Sequence, residues 1–371
     1  MQKLNSSSLR PNGSNYTGIN TNSSAYISAT LIALSTLIVL SNGTLLLLYL
    51  RKSNLRSKKN FLLASLALSD LFSGMVVLPV FVSCFQTPSD WNLCLSSAIL
   101  FRFLAFSTVL HILAITFEKY LSIIDPLYHQ GFVHRKHLRV TSGLIWGTST
   151  GLSLVPMAWH FEGNKEEIFR KDLIYFIATF IVCFILPLIL MTFAHIRMFK
   201  TISKSFQLIS GLRELPLGNS QSDGDGSTTG FDYSRRYSSN TKKIITLITL
   251  MLGTFVVCWL TWYLGAFFFY LDVQSLKLPP LLNNILLTLV FLPSLINPVL
   301  YTYYKQDFRN ALKSLFFKRS RNITIWLQDK MLQYWRWQFH DRNFRKNRYN
   351  YLRIQTYWLR HKYQISKAAW W

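Results

Sequence analysis

Long apolar stretches alternate with short polar ones along most of this chain. The apolar runs lie at about 26–50, 61–84, 95–123, 139–159, 173–198, 243–271 and 281–304. Each run is long enough to cross a hydrocarbon core of about 30 Å as an α-helix. Unpaired backbone groups are costly in lipid, so a spanning segment must satisfy them internally. The pattern therefore predicts an all-α membrane protein built as a seven-transmembrane helix bundle.

The polar segments predict how the rest of the chain is organised around the membrane domain at 26–304. We expect an N-terminal segment at 1–25, a third inner loop at about 200–242, and a basic, aromatic tail at 318–371. Within that loop, residues 217–240 are rich in Gly, Ser and Asp without an apolar period, which predicts disorder.

Residues 305–317 have the spacing of a short amphipathic eighth helix. Phe308, Leu312, Leu315 and Phe316 recur at helical intervals, opposite Arg309 and Lys313. Such a helix lies on the inner leaflet with its apolar face in lipid. The tail beyond it has three open interpretations: a second membrane-surface helix, a disordered basic tail, or a segment appended by a misread gene structure.

Charge distribution predicts the orientation. The chain is 50% hydrophobic and 15% charged, with a net charge of +24. Basic residues cluster at 51–59, whereas the loops near 86–92 and 272–280 hold few charges. The positive-inside rule then places the N-terminus outside and the C-terminus inside, as expected of a multi-pass plasma-membrane protein. About 13 of the 24 surplus positive charges lie in 305–371, which favours anionic lipid as a partner over nucleic acid.

The N-terminal segment carries acceptor sequences for N-glycosylation. They begin at Asn5, Asn12, Asn15 and Asn22. Their density on a segment predicted to lie outside the cell favours a glycoprotein. A similar sequence at Asn322 lies on the predicted inner side.

Polar residues inside the apolar runs carry the functional signal. Asp70 lies 11 residues beyond Lys59, about 16 Å into the membrane, where an ionised carboxylate is expensive. One interpretation is a sodium ion held by Asp70, Thr108, Ser294 and Asn297, with Asn42 at a similar depth. The other is a protonated Asp70 that only ties helices together.

One landmark occurs in or beside each predicted helix, in a fixed order. The landmarks are Asn42, Leu66–Asp70, Trp91 and Cys94, Glu118–Tyr120 with Pro126 and Leu127, Trp146, Pro187, Phe255–Trp259 and Asn297–Tyr301. Together they resemble the rhodopsin-like class of G-protein-coupled receptors over residues 26–317. By that resemblance, an extracellular small molecule or short peptide would favour a state that opens an inner cleft for a heterotrimeric G protein. No catalytic activity is expected.

The resemblance implies roles for particular residues. The activation switch would consist of Val109, Glu118, Lys119, Tyr120, Pro187, His195, Phe255, Trp259, Asn297, Pro298 and Tyr301. Lys119, Pro126 and Leu127 would contact the G protein. The ligand pocket would be formed by Phe101, Arg102, Ala105, Thr179, Cys183, Trp259, Trp262, Tyr263, Asn283, Leu287 and Phe291.

Several positions depart from the family pattern. Lys119 stands where the family has Arg, which replaces a rigid planar fork of donors by a compact point charge. His195 stands where the family has a Tyr, Thr261 where it has a Pro, and Pro293 where it has an Asn. Thr241, at the inner end of the sixth helix, provides no carboxylate to lock the resting state. These departures predict weak coupling, high basal activity, or a receptor that signals only through a partner.

Outer-side residues depart from the pattern as well. The loop from Trp159 to Asp172 holds no cysteine for Cys94 to pair with, so Cys94 either pairs with Cys84 or stays a free thiol. Where bioamine receptors of this class carry an Asp, this chain has Phe101, which argues against an amine salt bridge. Phe291 at the position of the opsin lysine excludes retinal.

Arg102, beside Phe101, requires a partner near the pocket. It either pairs with Glu162, Glu166 or Glu167 in the second outer loop, or receives a carboxylate or phosphate of the ligand.

Alternative functions remain at this stage. A receptor-like partner or decoy would bind without coupling. A transporter or channel would show internal repeats and several charges along one path. A membrane metal hydrolase would need clustered His ligands, whereas His111 and His195 lie in different runs and are expected to be core histidines.

Overall fold

A computed structural model gives the fold of most of the chain. It describes residues 21–160, 164–214, 227–270, 280–314 and 330. In these residues regular structure is helical throughout, with no strand. The all-α prediction is therefore confirmed.

Seven long helices account for most of the described residues. They are α1 at Thr21–Arg51, α2 at Lys58–Gln86, α3 at Trp91–Ile124, α4 at Arg135–Leu154, α5 at 165–214, α6 at Ser227–Tyr270 and α7 at Pro280–Tyr304. Shorter helices occupy Pro126–Phe132, Met157–His160 and 306–314.

Two of the long helices contain a wider turn just before a proline. In α2 a π-helical segment at Ser73–Val77 precedes Pro79, and in α5 one at Phe180–Ile185 precedes Pro187. A proline has no N–H to donate and its ring crowds the preceding turn. The wider turn accommodates both effects without ending the helix.

By length and composition, six of the described helices are apolar enough to cross a membrane: α1, α2, α3, α5, α6 and α7. The exception is α4, although its 20 residues are long enough. Arg135, Lys136 and Arg139 at its beginning, and many Ser, Thr and Gly residues further on, lower its apolar content. It nevertheless packs against α2 and α3.

The third helix lies at the centre of the bundle, in contact with α2, α4, α5 and α6. A buried polar cluster joins it to α2 and α4. Nε2 of His111 lies 2.8 Å from Oγ of Ser65, which also accepts from Nε1 of Trp146 at 3.2 Å. Nδ1 of His111 donates to the carbonyl of Ser107. His111 is thus a hydrogen-bonded core residue.

The prediction of disorder at 217–240 requires correction, because α6 begins at Ser227. No proline interrupts residues 227–240, and a helix already formed can extend without a new nucleation step. Residues 215–226 of the predicted third inner loop, at about 200–242, lie outside the described residues.

By its internal contacts the chain divides into two compact units, Met1–Ala311 and Leu312–Trp371. All seven long helices belong to the first unit. At its end Phe308 and Ala311 are buried while Arg309 is exposed, as an amphipathic helix requires.

In the second unit the structure describes residues 312–314 and 330 alone. The predicted apolar residues Leu315 and Phe316 and nearly all of the aromatic tail lie outside the described residues, as do the predicted glycosylation sites Asn5, Asn12 and Asn15. Asn22 falls in the first turn of α1.

Candidate functional site

A cavity of about 340 Å³ lies among α2, α3, α5 and α6. The predicted pocket residues on its wall are Phe101, Arg102, Ala105, Thr179, Trp259, Trp262 and Tyr263. Cys183, Leu287 and Phe291 are not among its lining residues, and the side chain of Asn283 lies outside the described part of the chain. Among the described side chains, α7 therefore contributes less to the cavity than the sequence predicts.

Aromatic rings surround Phe101 at the cavity wall. Its ring centroid lies 4.6 Å from that of Trp262 and 5.3 Å from that of Trp259. Phe291 of α7 meets Phe101 edge-on at 5.8 Å. Contacts of this kind stabilise beyond the area they bury. They hold the wall in one arrangement and give it planar, apolar surfaces.

Arg102 does not form the predicted salt bridge with Glu166 or Glu167. Glu167 pairs with Lys171 at 2.7 Å, Glu166 is exposed, and Glu162 lies outside the described residues. The guanidinium carbon of Arg102 instead lies 5.7 Å from the centre of the Tyr175 ring. Its buried Nη1 has no hydrogen-bond partner within the described chain.

Ten residues on the cavity wall are not among the predicted pocket residues: Phe81, Cys84, Cys94, Ser97, Ala98, Phe106, Asp172, Tyr175, Phe176 and Ala266. Tyr175 lies one turn before the predicted Thr179, and its hydroxyl donates to the carbonyl of Leu152 at 2.7 Å. Helical spacing from Thr179 would have identified it. Asp172 accepts from Nε1 of Trp159 at 2.9 Å, a contact between α5 and the short helix Met157–His160 that no local pattern indicates.

Cys84 and Cys94 lie at the cavity and form a disulfide with 4.9 Å between their α carbons. The bond joins the end of α2 to the first turn of α3 across a short loop. Asp90 caps α3 by accepting from the backbone N–H of Leu93. The loop that leads into the third helix is thereby fixed at both ends.

Below the cavity lies the predicted aromatic pivot. The Trp259 ring belongs to the cavity wall and lies 6.0 Å from Phe255, which in turn lies 5.8 Å from Phe184. Val109 and Pro187 are both buried. The two aromatic side chains of α6 thus connect the cavity with the interior of the bundle.

Asp70 is fully buried between α2 and α7. Its Oδ1 accepts from the hydroxyl of Ser294 at 2.7 Å, and its Oδ2 accepts from Nδ2 of Asn297 at 3.0 Å. Thr108 is buried on α3 but does not hydrogen-bond Asp70 within the described residues. Three of the four predicted ion ligands are therefore in direct contact.

The proline at position 298 in α7 explains the position of Asn42. Pro298 has no N–H, so the carbonyl of Ser294 one turn earlier loses its helical partner. Nδ2 of Asn42 in α1 donates to this carbonyl at 2.9 Å. The proline in α7 and the amide in α1 are thus parts of one arrangement.

Several buried oxygens of α1, α2 and α7 have no hydrogen-bond partner within the described chain. They are Oδ1 of Asn42, Oγ of Ser73, Oδ1 of Asn297 and the hydroxyl of Tyr301. One carboxylate, a hydroxyl and free amide oxygens are suitable ligands for a hard cation. The donor set thus fits a sodium ion or ordered water.

At the inner end of α3, Glu118 lies between the side chains of Lys119 and His129. Nζ of Lys119 is 2.5 Å from one of its oxygens, and Nε2 of His129 is 3.3 Å from the other. Lys305 donates to Oδ1 of Asn60. Burial, and then the charge of Lys119, lowers the pKa of Lys305 to about 7. Positive charge is therefore concentrated around a single carboxylate here.

An apolar cluster closes the inner ends of α3, α5 and α6. Met198, Ile202 and Ile245 form its buried part, and Tyr120 packs against it. His195, also buried, donates through Nδ1 to the carbonyl of Met191 at 2.6 Å. Its Nε2 lacks a partner within the described residues. His195 is thus a core histidine, as expected.

Leu127, predicted to meet a G protein, is 83% exposed. It follows Pro126 at the start of a short helix that is capped by Asp125, whose Oδ1 accepts from the backbone N–H of Tyr128. A large apolar side chain held this openly on a capped helix is available to a partner.

Comparison with known proteins identifies relatives of this architecture. Residues 41–301 match the family described as 7 transmembrane receptor (rhodopsin family). The chain is 24% identical to the 5-hydroxytryptamine receptor 1D of Homo sapiens, over 75% of this chain and 84% of that receptor. It is 25% identical to the 5-hydroxytryptamine receptor 1F of Rattus norvegicus, over 80% and 93% respectively. It is also 24% identical to the octopamine receptor beta-2R of Chilo suppressalis, over 74% and 75%.

Proposed function

The chain belongs to the rhodopsin family of seven-transmembrane receptors, and we propose that a small molecule in the outer cavity drives its coupling to a heterotrimeric G protein. One observation carries the proposal: Trp259 belongs both to the cavity wall and to the aromatic pair with Phe255. A ligand that contacts Trp259 differently in two packings of the bundle shifts the balance between them. Binding is thereby linked to the position of α6.

The inner surface supports the coupling half of the proposal. In the described conformation α6 is held against α3 and α5 by the apolar cluster around Met198 and Ile245. Outward movement of α6 would open that cluster and expose Lys119 beside Leu127. We assign the G-protein contact to Lys119, Pro126 and Leu127. The charge of Lys119 is already paired with Glu118, so engaging a partner has to break or share that ion pair.

Replacing Lys119 by Arg tests coupling directly. We expect basal G-protein activation in cells to rise by about 5- to 10-fold, because the planar fork of Arg can keep Glu118 while donating to a second acceptor. Lys119→Met serves as the matched control and should fall below the native protein. If neither native protein nor Lys119→Arg raises any second messenger, basally or with a broad ligand panel, the chain is a receptor-like partner or decoy that does not couple.

A sodium ion between α2 and α7 is the second part of the proposal. Asp70 and Ser294 would hold it, with Thr108 and the amide oxygen of Asn297 as further ligands, and it would stabilise the resting packing. The receptor should then melt at a higher temperature in sodium chloride than in N-methyl-D-glucamine chloride at equal ionic strength. Asp70→Asn should abolish the difference. Equal melting of the native protein in both salts argues against the ion.

The relatives are named for 5-hydroxytryptamine and octopamine, and a small-molecule ligand is the class they support. Partners at the inner side are proposed to include anionic lipid, since positive charge is concentrated there. We propose the plasma membrane as the location, with the N-terminus outside and glycosylated. The family match argues against the transporter and channel alternatives.

A further inference from the structure

The cavity wall carries a cationic side chain, Arg102, whose capacity for hydrogen bonding is not fully used within the described residues. Nη1 of Arg102 is buried and has no partner within the described chain. The guanidinium faces the ring of Tyr175 at 5.7 Å. A contact with the face of a ring does not provide an acceptor for Nη1. A buried donor without an acceptor is costly, and more so when it carries charge.

Three other polar side chains on the wall, Tyr175, Thr179 and Asp172, already have partners. The hydroxyl of Tyr175 donates to the carbonyl of Leu152, and that of Thr179 donates to the carbonyl of Tyr175. Asp172 accepts from Trp159 and lies 3.6 Å from Nε2 of His160. The carboxylate of Asp172 is therefore engaged by residues of the short helix Met157–His160, while Nη1 of Arg102 is left to a ligand.

The rest of the wall determines the body of that ligand. Phe101, Trp262 and Tyr263 present aromatic faces to a space of about 340 Å³. Planar rings pack well between such faces. A phosphate dianion would require several donors, whereas a carboxylate matches the two parallel N–H groups of one guanidinium.

We propose that the cavity binds a small aromatic carboxylic acid whose carboxylate pairs with Arg102, rather than an amine. This inference rests on the proposed function only in taking the cavity as the receptor's ligand site. It gives the chain a ligand charge opposite to that of the amines for which its relatives are named.

Ligand-induced thermal stabilisation of the purified full-length receptor in detergent tests the charge preference without requiring coupling. The probes are benzoate, phenylacetate and indole-3-acetate, each beside the amide and the amine built on the same ring, at up to about 10 mM. We expect the acids to raise the melting temperature and the matched amines not to. Stabilisation by amines but not by acids, or no stabilisation by any acid, overturns the proposal.

Variants of Arg102 test the pairing itself. Arg102→Gln should weaken the apparent affinity for the best acid by about 10- to 100-fold, which is the range for a lost charge-assisted pair. Arg102→Lys keeps the charge without the fork and should lose about 5-fold. Arg170→Gln removes a similar charge at the exposed outer end of α5 and should change nothing. Equal acid binding by Arg102→Gln and native receptor contradicts the pairing.

The ligand-free variants separate this role from a structural one. If Arg102 is held for a ligand, Arg102→Gln without ligand melts at or above the native temperature, because no internal ion pair is lost. If Glu162 is its permanent partner, Arg102→Gln and Glu162→Gln both lower the melting temperature, and the proposal fails. G-protein activation plays no part in these measurements, so a non-coupling receptor could still pass them.

Discussion

At the scale of the residue, buried polar contacts between helices determine much of how the helices pack against one another. Asn42 is the clearest case, because its amide satisfies a carbonyl that a proline on another helix has left free. Asn42 and Ser294, the residue that carries this carbonyl, are separated by 252 positions in the sequence. No local pattern joins them, yet each is costly in a membrane without the other.

This pairing predicts a coupled effect on stability. Asn42→Ala should lower the free energy of unfolding by about 1–3 kcal/mol, since the carbonyl of Ser294 is left without a donor. Pro298→Ala restores the backbone N–H to that carbonyl. In the Pro298→Ala background, Asn42→Ala should therefore cost clearly less. Thermal unfolding of the four proteins in detergent gives the coupling energy, and a coupling near zero would contradict the shared carbonyl.

Residues could be predicted from sequence where a physical cost marks them. Asp70 and Asn297 were identifiable because polar groups at mid-membrane depth require partners. In the structure Nδ2 of Asn297 lies 3.0 Å from Oδ2 of Asp70. Arg102 was marked by the same cost, but its partner was not predictable. Depth along a helix follows from counting residues, whereas the direction of a long side chain depends on neighbours such as Tyr175.

At the scale of the element, the contact between α1 and α2 depends on a glycine. A Cβ atom at Gly74 would lie 2.9 Å from methyl groups of Ile38 and Val39 and 3.1 Å from the carbonyl of Ser35. The hydroxyl of Ser35 donates to the carbonyl of Gly74 at 2.6 Å. The two helices therefore approach as closely as small residues allow.

Gly74→Ala should force these helices apart. We expect a loss of about 1–3 kcal/mol in the free energy of unfolding, because branched side chains and a backbone carbonyl cannot move aside cheaply. Gly151→Ala is the matched control, since a Cβ there meets nothing within 4 Å. Unfolding in detergent should separate the two variants. Equal stability would mean that the bundle tolerates a wider spacing between α1 and α2.

The long helices were predictable because apolar length is a strong signal, whereas their inner ends were not. Where α6 begins depends on how far a helix continues into water, and Ser227–Asn240 has no apolar stripe to indicate it. The π-helical turns before Pro79 and Pro187 are a similar case. A proline predicts a disturbance, but the surrounding packing determines whether the helix kinks or widens.

At the scale of the whole molecule, the predicted orientation in the membrane puts the cavity and the proposed G-protein contact on opposite sides. The basic residues at 51–59 follow α1 and the surplus charge in 305–371 follows α7 in sequence, and the positive-inside rule predicts that both segments are cytoplasmic. The cavity, with the Cys84–Cys94 disulfide beside it, lies toward the opposite ends of α2 and α3. A receptor oriented in this way binds ligand outside and presents Lys119 and Leu127 to the cytoplasm.

This orientation predicts which sequons are modified. Asn5, Asn12, Asn15 and Asn22 precede or begin α1 and should carry N-glycans, whereas Asn322 follows α7 on the side that glycosylation enzymes do not reach. Treating the cell-expressed protein with a glycosidase should increase its gel mobility. Replacing the four N-terminal asparagines by Gln should abolish that change, while Asn322→Gln should leave it intact.

An epitope tag before residue 1 should be accessible on intact cells and one after residue 371 only after permeabilisation. The reverse pattern would place the cavity in the cytoplasm and contradict both the receptor function and the proposed outer ligand, because charge asymmetry would then have failed to orient the bundle.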